Sequence, residues 1–181
     1  LALEYSHALP DQLQLRAINQ VWHVEYQPTQ SSRLTLTEKD KSRIILRGNT
    51  RQEDACKSLL QQWLTHKAYQ RLVPWLWSVS QELELPFNKA SIRGQKTLWA
   101  SCSQQRNISL NFKLLFLPSE LVRYVFVHQL CHTIHLNHSA QFWALVQEKD
   151  PNYHPLDQEL RRSSHFVPGW LEPTILNHRE S

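Results

Sequence analysis

The stretch P-S-E-L-V-R-Y-V-F-V-H-Q-L-C-H-T-I-H-L-N-H, residues 118–138, constrains this chain more than any other. It is apolar enough to be buried, yet it carries four histidines, His128, His132, His135 and His138, within eleven positions. Pro118 and Ser119 open a helix with Glu120 at its positive end. The pattern carries that helix to about Leu136, where Asn137 can take the left-handed conformation that ends it.

Residues four apart on a helix lie one above the other, so His128 and His132 share a face that continues back through Leu121 and Val125 into the interior. Two buried imidazoles lacking a partner are costly, and a divalent ion satisfies both. A tetrahedral site needs donors from more than one side. His138, just past the helix end, lets the chain double back with a third nitrogen, and the fourth position goes to water. An H-x-x-x-H pair alone more often marks ordinary core or surface histidines, so the spacing leaves both readings open. Cys131 lies about 100° around the helix from its neighbour His132 and reads as a packed thiol. His135 reaches the ion only if the helix persists there, and otherwise supports the site or faces solvent. His23, His66, His154, His165 and His178 stand alone and read as incidental.

The rest of the chain has to enclose that helix. At 181 residues, with seven Trp, five Tyr and six Phe, it can bury a sizeable core as one domain. Cys56, Cys102 and Cys131 form no C-x-x-C pair, which points to reduced thiols and a cytoplasmic setting rather than a disulfide scaffold. The opening LALEYSHALPDQLQLR has no basic segment followed by an apolar one, and no run nears the roughly 18 apolar residues of a membrane span, so no membrane partner is expected. The net charge of +4 is scattered. That is compatible with a nucleic-acid partner but equally with solvated charge, and oligomeric state is left open.

Residues 1–18 read as a loose arm or a short helix at about 10–18. Residues 20–29 alternate Trp22, Val24 and Tyr26 on one face up to Pro28, which predicts a strand. Two β-rich runs around E-K-D-K-S predict a hairpin over 33–48, so residues 1–48 form an N-terminal arm and small antiparallel sheet. Asn49 or Thr50 should cap a helix through Cys56, Leu60, Trp63 and Leu64, which Pro74 kinks or divides in two. Leu98–Ser103 and Ile108–Phe112 make a further strand pair. Beyond the histidines, Ser139 or Asn137 caps a helix through Phe142 and Trp143, stopped by D-P-N-Y-H-P and followed by an irregular tail from Arg161.

Two segments resemble the YgjP-like family of zinc metallopeptidases, relatives of the SprT-like zincins. T-L-W-A-S-C-S…N-I-S-L-N…L-P-S-E-L resembles its W-G-S-C-S turn, I-S-L-N strand and L-P-x-E-L lead into the metal helix, and H-Q-L-C-H…H-S-A-Q-F-W its H-E-L-C-H…H-S-x-x-F-W. The resemblance implies an α+β, zincin-like metallopeptidase domain over 49–181, compact with the N-terminal region, with an antiparallel sheet and a metal-binding helix. It implies one Zn2+ held by His128, His132 and His138 plus water, and a peptide or protein substrate. It also implies that the strand N-I-S-L-N-F-K is an edge on which an extended peptide pairs. SprT-like relatives process proteins on DNA, which keeps a nucleic-acid partner open; DNA binding driven by phosphate contacts would weaken with salt.

Two positions depart from the family pattern. Ala100 replaces a glycine, and Gln129 replaces the catalytic glutamate. A glutamate there takes a proton from water and returns it to the leaving amine, whereas an amide cannot hold that proton at neutral pH. The sequence therefore describes either an inactivated hydrolase, by nature or by substitution, or a binding protein, because no carboxylate lies within one helical turn to replace it. Trp99, Phe112 and Trp143 read as packing residues.

Overall fold

Alternating apolar residues build the first sheet of the computed structural model, which describes residues 8–171. His178 and the first seven residues of the predicted arm lie outside the described residues. The helix anticipated near 10–18 is instead strand β1 (Gln12–Leu15) and a 3-10 turn at Arg16–Ile18. Its residues alternate with a period of two, so Leu13 and Leu15 point inward and Leu13 lies opposite Trp22 of β2 (Gln20–Pro28).

The predicted hairpin forms as β3 (Thr35–Lys39) and β4 (Arg43–Gly48). The sheet is mixed rather than antiparallel throughout, with order β1-β2-β4-β3 and β2 parallel to β4. Polarity decides this: apolar β4, with Ile44 and Leu46 fully buried, takes the inner place, and the charged β3 takes the edge. Gly48, at φ 130°, closes this sheet where any Cβ would collide with the Arg33 carbonyl.

Helix α1 runs unbroken from Glu53 to Leu83. Neither Asn49 nor Thr50 caps it; Gln52 precedes the first turn, which holds Glu53 and Asp54 against the helix dipole. Pro74 neither ends nor divides the helix, because the turn around it is held by packing: Leu72 and Leu76 are buried, and Trp75 meets Phe126 edge-on at 5.0 Å. At its other end, Trp63 meets Trp22 edge-on at 4.9 Å and ties α1 to the first sheet.

The second sheet holds β5 (Lys89–Arg93), β6 (Ala100–Cys102) and β7 (Asn107–Asn111), in the order β5-β7-β6. The β6–β7 pair is the predicted one, whereas β5, a short run of mixed polarity, carries little pattern of its own. This sheet too is mixed, since β5 runs parallel to β7. Strand β7, expected at an edge, is central and hydrogen-bonded on both sides. The edge that packs against the helix over Ser119–His132 is β6.

Helix α2 spans Ser119–His132 and is buried on nearly every side from Leu121 onward, apart from Arg123. It ends four residues earlier than expected, at Thr133 in right-handed conformation, and Asn137 is not left-handed. The left-handed positions fall elsewhere, at Asn19, Asp40, Lys41, Glu84 and Arg106. Helix α3 (Ala140–Lys149) is capped by Ser139, whose Oγ accepts the Phe142 N–H at 3.2 Å. Asp150–Asn152, expected to stop the chain's helices, instead lead directly into α4 (Tyr153–Leu160). Pro155 permits it, because a proline in the first helical turn removes an N–H that would have no partner anyway. A 3-10 turn at Ser163–Phe166 follows. Both sheets, α1, α2, α3 and α4 contribute to one hydrophobic cluster running from Leu13 to Leu171, an α+β arrangement with α2 at its centre.

Candidate metal centre

The last turn of α2 carries His128 and His132 side by side, and the seven-residue return to Ser139 brings His138 back over them. Nε2 of His128 lies 3.2 Å from Nε2 of His132 and 3.3 Å from Nε2 of His138. Each residue offers one ligand atom, and all three lie within 4.8 Å of one another. A zinc–nitrogen bond of about 2.05 Å in tetrahedral geometry sets neighbouring ligand nitrogens about 3.3 Å apart. Two of the three spacings, from His128 to His132 and to His138, match that value, and the third pair lies within 4.8 Å.

Two of the three imidazoles, His132 and His128, have a contact at the other ring nitrogen. His132 Nδ1 lies 2.9 Å from the His135 carbonyl oxygen, which can only accept, so the proton sits on Nδ1 and the Nε2 lone pair faces the cluster. His135 therefore serves the centre through its backbone, not its imidazole. His128 Nδ1 lies 3.5 Å from the Tyr124 hydroxyl, which donates to Asp157 Oδ1 at 2.6 Å. Asp157 Oδ2 also accepts from Arg161 at 3.3 Å. If the Nε2 atoms of His128 and His138 also carry lone pairs, a cation between the three would satisfy them together.

Aromatic rings hold the imidazoles in place. Phe142 stacks on His132 at 4.3 Å and meets His128 and His138 edge-on. Trp143 stacks on His138 at 5.9 Å, so this tryptophan supports the centre as well as the core. Trp99 is fully buried and Phe112 lies against Gly94, both packing positions as expected. Cys131 is buried, and desolvation pushes its thiol up to about 12, in keeping with a packed thiol.

Gln129 is 2% exposed, and its Oε1 has no hydrogen-bond partner among the described residues. A buried carbonyl left without a donor costs about 1–3 kcal/mol. Gln129 directly follows His128 in α2, and a water held by an ion at the imidazoles would be a donor of the kind Oε1 lacks. The residues present thus fit a metal on two grounds, the nitrogen spacing and this orphaned acceptor.

Tyr124 and Asp157 were not singled out in the sequence. Tyr124 was within reach of sequence reasoning, standing four residues before His128 on the same helix face. Asp157 carried no signal, since it arrives from α4, a helix not anticipated.

The chain is thus an α+β protein with three converging imidazoles, two of them four apart on one buried helix, a group compatible with a single metal ion. The YgjP-like metallopeptidase domain model matches residues 6–163, and the chain belongs to that family. Among solved structures, the metallopeptidase zymogen abylysin of Pyrococcus abyssi is similar at 24% identity, over 48% of this chain and 89% of that chain, with a TM-score of 0.43. No curated protein matches the chain. No helix among the described residues is long and apolar enough to cross a membrane.

Proposed function

We propose that the chain binds one zinc ion through Nε2 of His128, His132 and His138, in a zincin-type peptide-hydrolase site strongly impaired by Gln129. The observation that carries this reading is the 3.2 and 3.3 Å convergence of the three Nε2 atoms directly beside a buried glutamine. Zinc held this way would supply a Lewis acid that lowers the pKa of water toward about 7 and polarises a carbonyl.

The protein's residues would do the rest. The imidazoles take three positions and leave the fourth to water and substrate. Strand β6, at the outer edge of its sheet and beside α2, suits backbone pairing with an extended peptide, the role first expected of β7. Gln129 Oε1 can accept a hydrogen bond from water, but its amide cannot take up the proton and return it to a leaving amine. A chain with this glutamine would hold peptide substrate and turn it over slowly, or act as a peptide-binding zinc protein.

The test is Gln129→Glu, assayed on casein and unstructured peptides with and without a chelator. Restoring the proton carrier should raise zinc-dependent cleavage by about 10² to 10⁴. A folded, zinc-loaded Gln129→Glu protein that cleaves no faster than the parent would overturn the hydrolase reading.

A further inference from the structure

We infer that Tyr124 and Asp157 are positioning residues for His128, fixing the ring's orientation and tautomer so that Nε2 is turned to the metal. This rests on the zinc reading above. Tyr124 is fully buried and Asp157 is 5% exposed, and the two come from helices packed together, α2 and α4. A phenol has one hydrogen to donate, and at 2.6 Å it is committed to Asp157 Oδ1. The lone pairs of the same oxygen are then left to face His128 Nδ1 at 3.5 Å, the outer limit of a hydrogen bond. That arrangement suits a protonated Nδ1 and leaves the lone pair on Nε2, the atom that faces His132 and His138.

The carboxylate end is also held. Arg161 lies 3.3 Å from Asp157 Oδ2, while Oδ1 accepts from the phenol. His132 is oriented by a backbone carbonyl, which no substitution removes. His128 Nδ1 instead faces a side-chain hydroxyl, so this contact can be altered by mutation. A purely structural alternative is that the Tyr124–Asp157 bond only fastens α4 to α2. The two roles predict different losses.

The experiment uses Tyr124→Phe, which keeps the ring in the core, Asp157→Asn, which keeps the shape, and the double variant. Zinc affinity is measured by competition with a chromophoric chelator, the cobalt-substituted proteins are compared by visible absorption, and the metal-free proteins by thermal unfolding. Each single variant should bind zinc about 10 to 100-fold more weakly and show an altered cobalt spectrum, with the metal-free fold retained. The double variant should be no weaker than the weaker single one, because both break one chain of contacts. Unchanged affinity and spectrum, losses that add independently, or weakening that only tracks unfolding of the metal-free protein would each overturn the inference. Failure of the zinc reading itself is distinguishable, since the unmodified chain would then bind no zinc.

Discussion

At the scale of residues, one helical turn carries His128, Gln129 and His132 together, all three buried. On the reading proposed above, the two imidazoles would hold the metal and the glutamine would stand where a proton carrier is needed. Cys131, in the same turn, is set apart by burial. Its thiol is raised from 9.0 to about 12, so the thiolate is scarce near neutral pH and alkylation of Cys131 should be slow until the protein unfolds. The sign of the pH dependence follows: the folded protein holds the proton more tightly, so this contribution to stability is full below about pH 9 and falls as pH rises toward about 12. Peptide mapping after iodoacetamide treatment, native against denatured, checks the first expectation. Rapid native labelling of Cys131 would contradict the burial.

At the scale of elements, the return from α2 to α3 decides whether a third imidazole arrives. Ser139 caps α3 immediately after His138, so Ser139→Ala should cost about 1 kcal/mol and lower Tm by about 2–4 °C. It should also weaken zinc binding, by loosening the residue next to a ligand; a fall in Tm with unchanged affinity would confine Ser139 to the cap. The second sheet makes a separate prediction. Strand β7 is paired on both sides and β6 on one, so amides of 107–111 should exchange with solvent more slowly than those of 100–102. Equal exchange in hydrogen–deuterium measurements would argue against the central place of β7. The sequence could not choose between edge and centre here, because β5 carries only Ile92 as a fully inward residue and its pairing is made at a distance.

At the scale of the whole molecule, metal and fold should be linked. The three imidazoles belong to α2 and the return that follows it, and α2 packs against α1, α3, α4 and β6, so an ion bound only by the folded state stabilises all of them together. Zinc at about 100 times its dissociation constant should add about 2.7 kcal/mol, or about 5–10 °C in Tm. Scanning calorimetry with zinc and with chelator measures this, and a Tm indifferent to zinc would count against the centre. The same traces test whether residues 1–48 melt with the remainder. We expect a single transition, because Trp22, Ile44 and Leu46 share the cluster that holds Trp63 and Leu60 of α1.

What the sequence determined by itself was whatever local spacing encodes. The i, i+4 pair of His128 and His132, the return that makes His138 available, the Ser139 cap, the hairpin at 33–48 and the glutamine at 129 are each written within a few neighbouring residues. Only the tertiary structure decided the mixed topology of the two sheets, the central place of β7, the persistence of α1 through Pro74 and the existence of α4. It also decided which atoms meet the imidazoles: the His135 carbonyl at His132, and Tyr124, bonded to Asp157, at His128. These depend on contacts between segments far apart in the chain, whose energies are settled by burial and pairing across the core and leave no periodic trace in the residues that make them.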